Sequence, residues 1–155
     1  MRPLTRTLAL TILLLSVGGI SGAYSQLTIL GGNINMTVTT GVAGGEPIAV
    51  TNATISLRYR LQNRITKITV RTSCPGQRFN LAVVATSVPQ GTAAPQVTLT
   101  NGMLAVDLIV SIPRRPPNTN QTATLLYTAS STFAQGNSAE LGNDVHTITY
   151  TLLDQ

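Results

Sequence analysis

From residue 54 onward, apolar and polar side chains take turns with a period of two. Ile55, Leu57, Tyr59 and Leu61 fall on one parity, and Ser56, Arg58 and Arg60 on the other. After Gln62-Asn63-Arg64 the pattern resumes, with Ile68 and Val70 set against Lys67, Thr69 and Arg71. Successive strand side chains point to opposite faces, so this alternation buries one face of a strand and cannot place the same set on one side of a helix. Residues 54–71 therefore predict a β-hairpin around a short polar turn, with Arg58, Arg60, Lys67 and Arg71 projecting from one face and Arg64 at the tip.

The alternation returns at 79–85, 97–100, 103–112, 122–129 and 145–153, and glycine, proline and polar clusters fill the gaps. Residues 103–112 predict the longest strand, with Leu104, Val106, Leu108, Val110 and Ile112 on one apolar face and Asp107 on the other, where a surface Arg is its most economical partner. Asn101-Gly102 before it is the strongest two-residue hairpin signal in the chain. Pro47 marks a short edge strand at 47–50. Residues 113–121 and 133–144 read as loops, the second with room for one helical turn at 138–141. About seven to nine strands at roughly ten-residue spacing, with no long helix, predict an all-β fold: an antiparallel immunoglobulin-like β-sandwich, with a closed barrel as the alternative.

The 155 residues suffice for one domain and a leader. Residues 1–25 have the features of a signal peptide: Arg2 and Arg6, an apolar run at 8–17, and small residues around Ala23-Tyr24-Ser25, with Ser21-Gly22-Ala23 as a second cleavage site. The apolar run is shorter than a membrane span, and nothing later approaches that length. The expected domain is 26–155, without a transmembrane segment, and secreted, periplasmic or at the cell surface. Its charge is sparse: only 10% of all residues are charged, and loss of the leader leaves eight Lys/Arg against five Asp/Glu. Six of those eight lie between Arg58 and Arg78 with no acid among them. Arg58, Arg60, Arg64, Lys67 and Arg71 thus form a candidate surface for an anionic polymer or an acidic partner, or they guard an edge strand against sheet-to-sheet pairing. Nucleic acid is disfavoured, because the outward face carries no aromatic for base stacking.

Catalytic and metal chemistry find little footing. His146 is the one histidine and Cys74 the one cysteine. No HExxH, GxSxG or Walker spacing occurs. Asp144 and His146 are close enough in sequence to touch, and Cys74 with His146 forms a conceivable nucleophile pair. Yet one His, one Cys and scattered acids do not make a ligand cluster, and Glu140 with Asn143-Asp144 lacks calcium-loop spacing. No catalytic residue, cofactor or metal is expected. A lone Cys74 at the Cys-Pro-Gly turn is either a small, partly buried turn residue or half of an intermolecular disulfide.

The sequences YTAS at 127–130 and HTITYTLL at 146–153 resemble the closing strands of bacterial exported β-sandwich proteins, fimbrial subunits among them. Residues 27–38 are similar to the alternating N-terminal extension of subunits that assemble by donor-strand exchange. The resemblance implies a non-enzymatic structural or cell-surface protein that associates with itself or with another exported protein through strand addition. It carries no functional residue over.

Overall fold

The computed structural model describes residues 9–10, 27–39, 45–114, 119–136 and 141–155. The strands are β1 (Ala9–Leu10), β2 (Leu27–Leu30), β3 (Ile34–Asn35), β4 (Val50–Arg60), β5 (Thr66–Ser73), β6 (Asn80–Thr86), β7 (Thr92–Ala93), β8 (Val97–Thr98), β9 (Val106–Ile112), β10 (Asn120–Ser130) and β11 (Thr147–Asp154). They form a five-stranded sheet ordered β2-β4-β10-β6-β8 and a four-stranded sheet ordered β11-β5-β9-β7, antiparallel throughout, while β1 pairs with β3. One core lies between the two larger sheets: Ile55, Leu57, Tyr59, Leu81, Val83, Leu125 and Tyr127 from the first meet Ile68, Val70, Leu108, Ile109 and Ile148 from the second. The all-β sandwich follows from the alternation, because each strand has one apolar face to hide and a second sheet hides it. Ala9–Leu10 lie within the expected signal peptide, and the rest of that segment falls outside the described residues.

The connections correct the hairpin expected at 54–71. Both strands form with the anticipated inward residues, and Ile55, Leu57 and Tyr59 are fully buried. But β4 lies between β2 and β10, whereas β5 lies between β11 and β9 in the other sheet. The chain therefore crosses from one sheet to the other at residues 61–65. Alternation fixes which side of a strand is buried, not which strand it bonds to. The Asn101-Gly102 turn has the same outcome. It closes tightly, with the Met103 N–H donating to the Thr100 carbonyl at 3.0 Å, yet it joins β8 of one sheet to β9 of the other. Gly102 adopts φ +70° with open space around its Cβ position. Gly102→Ala is therefore expected to cost about 1–2 kcal/mol through backbone strain alone, and Gly102→Asn clearly less, both readable from urea midpoints.

Strand β9 departs furthest from expectation. It runs seven residues against eleven each for β4 and β10. Leu104 is 86% exposed, while the neighbours Leu108 and Ile109 are both fully buried. The ladder to β5 shifts register twice, between Thr66 and Ile68 and between Ile68 and Thr69, and Ser111 has φ +53°. Each extra residue in a bulge reverses the parity of the residues beyond it, so five alternating apolar residues do not share one face. The short edge strand expected at 47–50 is also absent; Val50 simply opens β4. A 3₁₀ turn occupies Phe133–Gln135, and the helical turn anticipated at 138–141 lies mostly outside the described residues.

The N-terminal segment at 27–38 is not a free extension. β2 pairs with β4 of its own chain, Leu27 opposite Tyr59 and Leu30 opposite Ser56. Gly31 then turns the chain at φ +110°, so close to the Thr54 carbonyl that a Cβ would lie 2.5 Å away. The turn sends Ile34 and Met36 into the core at 4% and 3% exposure. Only glycine combines that φ with that approach.

Candidate functional site

The five basic residues singled out by sequence do not share a surface. Arg58 and Arg60 alternate with the buried face of β4, and Lys67 and Arg71 with that of β5. Because these strands belong to opposite sheets around a common core, the first pair projects from one side of the sandwich and the second from the other. Arg64 sits at the crossover between them. Two of the five are neutralised: Arg64 bonds Asp154 at 2.6 Å, and Lys67 bonds Asp107 at 2.9 Å. Asp107 therefore has a lysine partner and not the arginine expected, because the Thr69–Asp107 pairing of β5 with β9 brings Lys67 alongside it. The run without acids in the sequence is interrupted in space by acids from other strands. Nor do these cations guard edges, since β4 and β5 are interior strands.

A different group converges where β5 ends and β11 begins. Ser73 pairs with Thr147, which places Cys74, just past β5, next to the chain entering β11. The sulfur of Cys74, a carboxylate oxygen of Asp144 and a ring nitrogen of His146 all lie within 4.8 Å of one another. The three residues are 1%, 5% and 1% exposed. The expectation of scattered, unclustered ligand types is corrected here. Asp144 and His146 face inward together because they stand two positions apart along an extended chain, and the exposed Val145 between them faces out.

Each member is held by further contacts. Asp144 Oδ2 accepts the backbone N–H groups of Arg78 at 3.0 Å and Phe79 at 2.8 Å. His146 Nδ1 lies 3.2 Å from the Thr72 hydroxyl, which in turn donates to the Thr147 carbonyl at 3.4 Å. With its proton directed to that carbonyl, the Thr72 oxygen is free to accept from an Nδ1–H. The Cys74 N–H donates to Asn101 Oδ1 at 2.8 Å, and the Asn101 N–H donates to Gln77 Oε1 at 2.6 Å. Burial raises the thiol pKa, and the Asp144 charge raises it further, against a weaker opposing hydrogen bond from the Val145 backbone. Burial lowers the His146 pKa, opposed by Asp144. Both shifts favour the uncharged form, a protonated thiol and a neutral imidazole. A protonated thiol is a poor nucleophile, so the arrangement does not make an activated cysteine. The free thiol is buried, which agrees with the turn-residue reading of Cys74 and leaves no exposed sulfur for an intermolecular disulfide.

Sequence reasoning found the Asp144–His146 proximity and considered Cys74 with His146, but did not join all three. The sequence signal was the Asp-x-His spacing at the start of a strand. The missing link was the pairing of β5 with β11, which spans more than seventy residues and leaves no local trace.

No protein-family model, curated protein or solved structure matches this chain.

Proposed function

We propose that the chain is an exported, immunoglobulin-like β-sandwich with a structural or cell-surface role, non-enzymatic, and that it assembles with a second copy of itself by strand addition along β11. The observation that carries this reading is the composition of that edge. β11 ends the four-stranded sheet and runs eight residues. Thr147 to Leu153 include no charge, proline or glycine, and Thr, Ile, Tyr and Leu are good strand formers. Natural edge strands are usually blunted by lysine, proline, bulges or shortness. The opposite edge of the same sheet, β7, has only two residues. Among the described residues, β11 has none of these devices along its first seven positions, and its one charge, Asp154, is held by Arg64. Leu153 and Ile65, 42% and 52% exposed, add apolar surface at its far end, where the Gln155 N–H donates to the Ile65 carbonyl. Two copies of an antiparallel edge can pair about a two-fold axis, which gives a closed dimer.

The signal-peptide features of residues 1–25 support export, and the uncharged run from Thr147 to Leu153 supports strand addition over the basic residues as the contact. A polyanion surface built from Arg58, Arg60, Arg64, Lys67 and Arg71 has weaker support, because the five are split between two faces and two are paired.

Light scattering on the 26–155 chain tests the proposal. The expected result is a dimer that a Thr149→Lys/Thr151→Lys double variant converts to monomer with an unchanged circular dichroism spectrum. Those two positions share the outward parity, so the inward Ile148, Tyr150 and Leu152 are untouched. A wild-type chain that stays monomeric on concentration sinks strand addition.

A further inference from the structure

We infer that Cys74, Asp144 and His146 form a binding site for one divalent metal ion of zinc type. The donor set is one sulfur, one imidazole nitrogen and one carboxylate oxygen, the three ligand classes that zinc accepts in proteins. Their ligand atoms already lie within 4.8 Å of one another, so a central ion needs only small side-chain adjustments to reach bonding distance from all three.

Charge favours the same ion class. A thiolate and a carboxylate with a neutral imidazole balance a divalent cation, so an occupied site carries no net charge into a buried place, whereas an uncompensated buried charge is costly. Binding proceeds with one proton released: the metal takes the Cys74 sulfur as thiolate, and the thiol proton leaves to solvent. The cation itself drives that loss, since a coordinating thiol is deprotonated outright. Three protein ligands leave the fourth tetrahedral position for a water, and the neighbouring Gly142, Asn143 and Val145 are exposed.

The surroundings have the features of an outer ligand shell. Metal-bound histidines generally donate their second ring N–H to an oxygen, which fixes the ring and its tautomer. The Thr72 hydroxyl, 3.2 Å from Nδ1 and within reach of the Thr147 carbonyl for its own proton, is placed to be that acceptor. Asp144 Oδ2 is held by two backbone N–H groups. Cys74 is held through its backbone by Asn101. An ion placed here links the end of β5 and the approach to β11 across the two strands whose pairing creates the site. The site stands independently of strand addition along β11.

Metal-free 26–155 chain titrated with Co²⁺ and then Zn²⁺ tests it. The expected result is uptake of one equivalent of Co²⁺, with a near-ultraviolet thiolate-to-cobalt charge-transfer band that Zn²⁺ abolishes. Cys74 is the only cysteine, so any such band reports this site. Cys74→Ala is expected to lose the band, and Thr72→Val to weaken Zn²⁺ affinity by about 10–100-fold while keeping it. Absence of both the band and zinc uptake in wild type, with metal in large excess, overturns the proposal. So does one-equivalent zinc binding that is unchanged in a folded Cys74→Ala or His146→Gln variant. If neither variant folds, the wild-type band decides alone.

Discussion

Leu125→Ala is expected to destabilise the protein by about 2–5 kcal/mol, the range for truncating a buried leucine. Strand β10 is the middle of the five-stranded sheet, and Leu125 stands between Ile55 of β4 and Ala85 of β6. It is fully buried. Alanine removes the burial of three carbons and leaves a cavity that flanking strands, tied by their ladders, cannot close. Against a total stability of about 5–15 kcal/mol, this is a large fraction. The effect should appear as a shift of the urea midpoint with little change in slope. A loss below about 1 kcal/mol would mean that Leu125 is not enclosed as described.

Stability should also fall steeply above pH 10. Tyr127 of β10 and Tyr150 of β11 join hydroxyl to hydroxyl, and since these strands belong to different sheets the bond ties the two layers together. Burial pushes the Tyr127 phenol up to about 12, against a smaller opposing effect of its bond to Tyr150. Burial pushes Tyr150 well above the usual tyrosine value, and Tyr127 pushes it further; the residue as a whole keeps some exposure, but its hydroxyl is enclosed. Tyr59, whose hydroxyl donates to the Gln90 carbonyl at 2.7 Å, is raised by burial as well. Between the unfolded value near 10 and these raised values, the folded state retains protons that the unfolded chain releases. Stability then decreases with rising pH. The contribution is fully present below pH 10 and is lost as pH rises toward 12. For Tyr127 alone the loss is about 2–3 kcal/mol at 1.36 kcal/mol per pH unit. Guanidinium unfolding between about pH 8 and pH 12 measures it. Tyr127→Phe should flatten the alkaline slope, and an equally steep decline in that variant would place its origin elsewhere.

The features legible in the sequence were largely local. Ile55, Leu57, Tyr59, Ile68, Val70 and Ile148 were legible as core because strand geometry converts a period of two into a buried face. The turn at Asn101-Gly102 was legible because glycine takes a positive φ at little cost. The course of β9 was not, since one bulge reverses parity and its position depends on the partner strand. The grouping of arginines failed for a related reason: residues close in sequence need not share a surface, and the chain changes sheets between Arg60 and Lys67.

The amino-acid sequence by itself determined that this protein is built of antiparallel strands with one wet and one dry face, and which residues in most strands would be dry. Side-chain direction within a strand is a property of neighbouring residues, so it is written locally. Tertiary structure alone decided which strands pair. That choice separated Arg58 and Arg60 from Lys67 and Arg71, gave Asp107 to Lys67, left β11 at the edge of its sheet, and brought Cys74 to Asp144 and His146. Each of these contacts joins segments distant in the chain, where strand pairing and the shared core set the geometry.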